Sequence, residues 1–462
     1  MRAAKQVPDG DPASVLRRAP FSDNPRVGAR GQRAHQRILD AALQVFGEDG
    51  YHACGVIRIT EVAGCSRAAF YQYFSSKEDV FRHLAGQVAR QLMASAEALD
   101  PITPDAAGWR TLRAWVERHG DIYDRYEPVF RAYQAAAESD EAVASGSARI
   151  ADRNVAGVRA KLTSSSGSSS SSGPSSSAGS SALPSRHVDE AIAILLECMT
   201  RTRHVVGVLG PALPASAYPR ERVNDALTDI VHRTLVGLDP EVNVHPPTKR
   251  RAPRVPLGPV MLQGLQDDDG PRDLSPTGAR TLAALLAAGH DVLVARGYHG
   301  TRVDDIAQAA GVSHGAFYRY FENKDHLIRL LAVRAIRTVS VAMADIPDIA
   351  GSPEPAGSTT AGSATLRQWL RRYHTTHASE TAMIRVWVDA TADDPSLRPE
   401  SAAALDWGRR RLVRFLQPRG FGDVDTEALV MVALLDAFGA RPQATSTIPA
   451  TAHIIERGLL GR

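Results

Sequence analysis

Apolar residues recur every three or four positions along much of this chain, which is the spacing expected of amphipathic helices. Two of these stretches stand in equivalent places in the two halves of the sequence. Their apolar positions are Ile38, Ala42, Val45 and Phe46 in the first, and Leu282, Leu285, Leu286, Gly289 and Leu293 in the second. Long segments rich in Ala, Leu and Arg, with few β-branched runs, predict an all-α protein.

One block of sequence occurs twice. The segment from Gly50 to Lys77 returns as the segment from Gly297 to Lys324, and every matched residue lies 247 positions further along the chain. Both copies contain A-G-x-S, then F-Y-x-Y-F, and then a lysine three residues later. Two copies of one supersecondary unit indicate a tandem duplication.

Each copy carries the signals of a helix, a tight turn and a second helix. A glycine, Gly50 or Gly297, should end the helix that precedes each block. In the second copy Thr301 is predicted to cap the next helix, with an acid three residues on as in a capping box. That helix should end at A-G-V-S, because Gly311 allows a left-handed turn and Ser313 can cap the helix that follows. Helix, tight turn and helix form a geometry that reads DNA.

The helix after this turn carries Phe317 and Phe321, an i, i+4 pair that should be buried. Burial of this pair would turn four other residues outward: His314, Gly315, Tyr318 and Tyr320. Lys324 should lie in the first turn of a further helix, where an ammonium and the helix N-terminus can both meet a phosphate.

The pattern T-x-V-x-x-I-A-x-x-A-G-V-S-x-G-x-F-Y-x-Y-F-x-x-K resembles the DNA-binding domain of the TetR/AcrR family of bacterial transcriptional regulators. The second copy matches it almost completely, whereas the first copy departs from it at Cys54, Ile57, Thr60, Cys65 and Ala68. We therefore expect the first copy to lack the capping box, at a cost of about 1 kcal/mol to its second helix. We also expect the first copy to bind DNA more weakly than the second.

The resemblance implies that the third helix of each copy enters the major groove. Arg67 and Ala68, and in the second copy His314 and Gly315, would then be candidate base readers, with the tyrosines and the lysine on the backbone. The candidate DNA-binding residues are Ser66, Arg67, Ala68, Tyr71, Tyr73, Lys77, Thr301, Ser313, His314, Gly315, Tyr318, Tyr320 and Lys324. The alternatives are packing against the first helix for the tyrosines and plain solvation for the lysines.

The resemblance also implies two tandem TetR-like units, each an N-terminal three-helix helix-turn-helix domain followed by an all-helical effector and dimerisation domain. A weaker repeat supports this, since L-R-A-W ending at Trp115 recurs as L-R-Q-W ending at Trp369. The predicted segments are a disordered arm (1–29), a first head (30–90, helix-turn-helix about 54–74), a first effector domain (91–238, Ser-rich insertion 163–182), a linker (239–276), a second head (277–337, helix-turn-helix about 301–321) and a second effector domain (338–462).

Composition bounds the function less sharply than the motif does. The net charge of +3 is too small to establish nucleic-acid binding, so that prediction rests on the repeated block. The three cysteines form no C-x-x-C pair, and no phosphate loop, nucleophile elbow or metal-ligand set is evident, so we predict no enzyme, no cofactor and no metal. No apolar stretch reaches the roughly 18 residues of a membrane span, which predicts a cytoplasmic protein.

The expected function is that of a ligand-responsive repressor on a double-stranded DNA operator. Because Arg67 favours guanine and His314 is a less specific reader, the operator should be an imperfect palindrome. The last two helices of each effector domain could pair within one chain and make a covalent pseudo-dimer. The segments concerned are Val188 to Leu209, Glu221 to Leu238, Thr426 to Phe438 and Ala452 to Leu460. An alternative is a homodimer of chains in which only the second head binds DNA and the first unit is an interaction module.

The inducing ligand is expected to be a small apolar molecule bound in an effector core. Four aromatic residues are candidates for the walls of its pocket: Trp115, Tyr133, Trp369 and Trp387. Ordinary core packing is the alternative for each of them.

Overall fold

A computed structural model describes residues 28–139, 141–162, 185–214, 216–237, 254–255, 274–349, 361–393, 398–442 and 445–461. Every regular element in these ranges is helical, which confirms the all-α prediction. Almost all of the predicted arm, the Ser-rich insertion and most of the linker lie outside the described residues. The described chain divides into a first unit (residues 28–92 and 122–150) and a second unit (residues 93–121 and 151–461).

The helices follow one another in a pattern that repeats once. In chain order they are α1 (Ala29–Asp49), α2 (Val56–Ala63), α3 (Arg67–Tyr71), α4 (Lys77–Glu97), α5 (Ala106–Ser139), α6 (Glu141–Leu162), α7 (Ser185–Leu209), α8 (Arg220–Val236), α9 (Pro276–Gly300), α10 (Val303–Ala309), α11 (His314–Phe317), α12 (Lys324–Ala344), α13 (Ala361–Asp393), α14 (Arg398–Leu416), α15 (Val424–Gly439) and α16 (Thr447–His453). A π-helical segment, Ile454–Leu459, continues α16. Short 3₁₀ turns follow α7 and α14.

The first unit contains α1 to α3, most of α4, and the part of α5 and α6 that packs against them. Aromatic side chains from the head, such as Phe46 and Phe81, share one core with Tyr126 and Val129 of α5. Helix α5 has a kink at Tyr126, two residues before Pro128, which cannot donate a backbone hydrogen bond. The first head is therefore supported by a helix that belongs to the sequence of the effector domain.

The second unit contains the second head, the rest of α4, α5 and α6, and the other helices of both effector domains. The core of this head includes Phe317 and Phe321, and Trp387 of α13 packs into it. A separate, larger core joins residues of both effector domains, such as Leu195 and Leu429.

Helix α15 lies at the centre of this larger core. Its sequence is apolar on every side, as expected of a helix that is enclosed by other helices. Helix α7 packs along α15, and α8 packs against both α15 and the π-helical segment. These are the four segments for which the sequence predicted mutual pairing.

Candidate nucleic-acid interface

The two helix-turn-helix segments have the same backbone geometry. The turns contain Gly64 at φ 61° and Gly311 at φ 67°, the left-handed region that glycine adopts without strain. The Oγ of Ser66 accepts a hydrogen bond from the Ala69 amide at 3.1 Å, and the Oγ of Ser313 accepts one from the Ala316 amide at 3.3 Å. The predicted turns and the predicted caps of the third helices are thus confirmed in both heads.

One face of each third helix is exposed, while the buried face carries the phenylalanine pair. Phe70 and Phe317 are fully buried in their respective cores. Of the candidate base readers, Arg67 and Ala68 are exposed in the first head. The exposed candidates of the second head are His314 and Gly315. Tyr71 and Tyr318 are about half exposed, and the ring of Tyr318 lies 5.1 Å from that of His314.

The second tyrosine of each motif lies differently from the first. Tyr73 is half-buried and packs against the core of the first head, with its ring 6.3 Å from that of His35 on α1. Tyr320 likewise packs against the core of the second head. The prediction that Tyr320 turns outward was therefore wrong, because the ring covers apolar surface; packing was the alternative.

The motif lysines bind backbone carbonyl groups in their own heads. The Nζ of Lys77 donates to the Tyr51 carbonyl at 2.8 Å and lies 4.7 Å from the centre of the Tyr51 ring. The Nζ of Lys324 donates to the Tyr298 carbonyl at 2.8 Å and lies 4.0 Å from the centre of the Tyr298 ring. Each ammonium thus joins the fourth helix of its head to the end of the first helix, so neither lysine is simply solvated.

Replacing these lysines with methionine should loosen the heads as well as weaken DNA binding. A hydrogen bond to a charged group contributes about 1.5–3 kcal/mol, so Lys324→Met should raise hydrogen exchange in α12 and at the end of α9. Lys77→Met should do the same for α4 and α1. Hydrogen exchange measured by mass spectrometry on the full chain would check this. The matched control is Lys161→Met, because the hydrogen bond from Lys161 to the Glu97 carbonyl is longer, at 3.2 Å, and exposed; equal effects for all three variants would contradict the prediction.

The cap of α10 lies one residue later than the sequence suggested. Thr301 is only 3% exposed, and its hydroxyl donates to the Gly297 carbonyl at 2.8 Å. The N-cap is Arg302, whose backbone N–H donates to the Asp305 carboxylate at 3.0 Å. The prediction of Thr301 as the cap was wrong, and its buried hydroxyl is not presented to a ligand. In the first head the position equivalent to Asp305 is occupied by Arg58. The carboxylate contact that caps α10 therefore has no counterpart at the start of α2.

The same pair of positions forms an ion pair of opposite polarity in the two heads. In the first head Arg58 of α2 lies 3.4 Å from Asp49 of α1. In the second head Asp305 of α10 lies 2.6 Å from Arg296 of α9, and both residues are 247 positions after their counterparts. The hydrogen bond from Arg296 lowers the pKa of Asp305 below its usual value. The first two helices of each head are thus joined by equivalent contacts with exchanged charges.

The start of α1 carries a stripe of three arginines. Arg30, Arg33 and Arg37 are exposed, and their i, i+3, i+7 spacing places them on one helix face. Only Arg280 stands at a corresponding position of α9, between Thr277 and Ala284. Arg26 and the basic run at residues 249–251 lie outside the described residues.

Comparison with known proteins adds two observations to this geometry. The family model "Bacterial regulatory proteins, tetR family" matches the chain twice, at residues 38–84 and 285–331. The chain is 31% identical over 136 residues to the HTH-type transcriptional repressor AcnR of Corynebacterium efficiens, which is 27% of this chain and 70% of that protein. The chain belongs to the TetR family.

Other TetR-family relatives are matched over shorter parts of their length. AcnR of Corynebacterium glutamicum is 30% identical over 113 residues, which is 23% of this chain and 58% of that protein. The HTH-type transcriptional activator FasR of Mycolicibacterium smegmatis is 35% identical over 107 residues, 23% of this chain and 46% of that protein. These relatives are named as transcriptional regulators rather than as enzymes.

The first TetR-family head contains a half-buried histidine that has no counterpart in the second head. His35 of α1 stacks on Phe74 at 4.8 Å and faces His83 and Asp79 of α4. Burial, with a further contribution from His83, lowers the pKa of His35 to about 4, whereas Asp79 raises it. Leu282 stands at the equivalent position of the second head.

The first head should therefore lose stability as the pH falls through the range from about 6.5 to 4. In that window the unfolded chain takes up a proton at residue 35 that the folded head excludes, whereas above it neither state is protonated. His35→Leu should reduce this loss. Hydrogen exchange of α1 at pH 5 and pH 8 would check it, with α9 as the internal control. An equal effect of the substitution at both pH values would contradict the prediction.

The aromatic residues proposed for an effector pocket occupy core positions. The Nε1 of Trp369 donates to the Ala342 carbonyl at 2.9 Å, and the Nε1 of Trp387 donates to the Ser401 hydroxyl at 2.5 Å. The Tyr133 hydroxyl donates to the Val143 carbonyl at 2.8 Å. Trp115 is buried in the large core of the second unit. These contacts favour the core alternative for all four.

Two further predictions concern ligands and membranes. Among the described residues, no group of His, Cys, Asp or Glu side chains could hold a metal ion. The Nε2 of His374 bonds with the Arg441 carbonyl at 2.9 Å, and that of His377 with Asp436 at 3.3 Å. Contrary to the sequence analysis, α9 is long and apolar enough to cross a membrane by length and composition alone. It is also the first helix of the second head, where Leu285 and Leu293 are fully buried.

Proposed function

We propose that this protein is a sequence-specific DNA-binding repressor in which both heads engage one operator and the two effector domains pair as a covalent pseudo-dimer. The observation that carries this proposal is the packing of α7 and α8 against α15 and the π-helical segment, with buried charges paired between the halves. In the TetR family the last two helices of the effector domain are the expected dimerisation surface.

The most deeply buried of these pairs joins α8 to α15. Arg233 and Glu427 have fully buried side chains, and their Nη2 and Oε2 atoms are 3.1 Å apart. The Nε of Arg233 also donates to the Gly458 carbonyl at 2.7 Å. The carboxylate of Glu427 lies 2.5 Å from Nη1 of Arg419, a residue of its own half. Buried charges are tolerated when they are paired in this way. Two first halves could not form this pair with each other, because Glu427 belongs to the second half.

Further ion pairs cross between the halves around this one. Arg201 of α7 lies 2.9 Å from Asp436 of α15. Burial acts to raise the pKa of Asp436, but the charge of Arg201 and the hydrogen bond from His377 hold it below its usual range. In a neighbouring pair the second half supplies the arginine and the first half the carboxylate: Arg441 lies 3.0 Å from Glu190 of α7. Complementary charges that come from unlike partners favour pairing of the two halves with each other.

The geometry of the heads supports a role for both of them on DNA. The first head retains the capped third helix, the exposed Arg67 and Tyr71, and an arginine stripe that the second head lacks. The alternative, in which the first unit is only an interaction module, does not account for these features. The predicted location is the cytoplasm, where bacterial DNA is accessible.

The proposed mode of regulation follows the family resemblance. A small apolar molecule, bound in an effector domain, would change the spacing of the two heads and release the operator. The curated relatives include both repressors and an activator, and repression is the mode we propose for this chain.

The test is the stoichiometry and footprint of the full chain on DNA fragments selected by binding. Light scattering would give the mass of the complex, and nuclease protection would give the grooves covered. One chain that protects two adjacent major grooves is the expected result. Two chains on the same DNA, each protecting one groove, would overturn the pseudo-dimer.

A further inference from the structure

The second head contains a hydrogen bond between a candidate base reader and the preceding helix. His314 is the first residue of α11, and its Nδ1 is hydrogen-bonded to Oδ1 of Asp304 in the first turn of α10. Both side chains are open to solvent on the reading face, with exposures of 76% for Asp304 and 55% for His314. The contact therefore lies where DNA would be met.

Asp304 and its neighbour Asp305 have separate contacts. Asp305 caps α10 through the Arg302 amide and pairs with Arg296 of α9, so it holds the head together. Asp304 takes part in neither contact, and its carboxylate is directed to His314. The contact of Asp304 thus concerns the reader and not the packing of the helices.

This hydrogen bond determines what His314 can recognise. A carboxylate accepts only, so the shared proton belongs to Nδ1, and Nε2 of the neutral imidazole then carries a lone pair. An acceptor in the major groove is complementary to an exocyclic amine, N6 of adenine or N4 of cytosine.

The first head has the opposite chemistry at the same two positions. Arg67, the counterpart of His314, has only donors and is complementary to O6 and N7 of guanine. The counterpart of Asp304 is Ile57, which is 58% exposed and has no acceptor for Arg67.

We propose that Asp304 is a positioning residue that makes the second head read an amine-bearing base, adenine or cytosine, where the first head reads guanine. This rests on the proposed function, because both heads must contact DNA. The operator is then asymmetric because the protein donates a hydrogen bond to the base at this position of the first half-site and accepts one at the matched position of the second.

The test combines two readouts on the full chain. Binding selection from a randomised operator at pH 8 should return guanine at the Arg67 position. It should return adenine or cytosine at the His314 position. Asp304→Ala should reduce the preference at that base pair by roughly tenfold and leave the first half-site unchanged. The matched variant Ile57→Asp should instead weaken the guanine preference of the first half-site only, by placing a carboxylate beside Arg67.

The second readout does not require DNA. In ¹⁵N spectra of the histidine-labelled chain, with the His314 signal assigned by its loss in His314→Asn, Nδ1 should be protonated in the native sequence. In Asp304→Ala the proton of His314 should no longer prefer Nδ1 over Nε2. Equal affinity changes for all sequences in Asp304→Ala, with both half-sites still protected, would overturn the inference but leave the proposed function standing. If the native chain protects only the first half-site, both the inference and the proposed function would be overturned.

Discussion

Replacing Glu427 with glutamine is expected to lower the free energy of unfolding of the second unit by about 3–5 kcal/mol. The substitution removes a carboxylate that is shared by Arg233 and Arg419, two guanidinium groups that are almost completely buried. The two guanidinium charges would then lie close together in the core without this carboxylate between them. The five tryptophans, at positions 109, 115, 369, 387 and 407, all belong to the second unit, so their fluorescence during denaturation by urea reports on it alone.

Two further variants make this result interpretable. Glu117→Gln removes an exposed carboxylate of the second unit that lies 3.1 Å from Arg113, and it should change stability by no more than about 0.5 kcal/mol. Replacement of Arg233, Arg419 and Glu427 together by leucine should recover most of the loss, because a complete buried ion network can be exchanged for apolar residues at little cost. A Glu427→Gln variant as stable as the native chain would show that this network does not hold the halves together.

A glutamate introduced on the reading face of either head should lower operator affinity by about 100-fold to 10,000-fold. Ala68→Glu and Gly315→Glu are matched substitutions, because the two residues lie 247 positions apart and both are exposed. A side chain at Gly315 meets open space, so neither change should disturb folding. If both heads act together, each substitution removes the gain from linked binding, and the losses should be similar.

The alternative arrangement predicts a different outcome for the same two variants. If only the second head binds DNA, Gly315→Glu would abolish operator binding, whereas Ala68→Glu would leave the affinity unchanged. Fluorescence anisotropy with a labelled operator, measured at one fixed salt concentration, would distinguish the two cases. Thermal unfolding of both variants would verify that the heads remain folded.

Local sequence patterns predicted the elements of the heads well but not their contacts. The i, i+4 phenylalanines, the turn glycines and the serine caps act within one turn of chain, so their spacing determined the outcome. The start of α10 was ambiguous, because Thr301 with Asp304 and Arg302 with Asp305 both fit the spacing of a capping box. The choice depended on the burial of Thr301 against α9, which is a tertiary contact.

Contacts between distant residues could not be read from the sequence. Lys77 and Lys324 were assigned to phosphate because they occupy a helix N-terminus, whereas their carbonyl partners lie more than twenty residues earlier. The apolar faces of α7, α8 and α15 identified the segments that pair, but not the ion pairs, since Arg233 and Glu427 are 194 positions apart. Only the fold brings such charges together.

The exchanged ion pair at the base of the two heads has a consequence for how the gene can change. A crossover between the two copies, placed between the codons of the first and second helices, would join α1 to α10 or α9 to α2. The first product would set Asp49 beside Asp305, and the second would set Arg296 beside Arg58. Like charges at this contact destabilise either hybrid head. A hybrid head should therefore be less stable than either parent, by about 0.5 kcal/mol for an exposed contact of this kind, so exchange of whole heads is favoured over exchange of their parts.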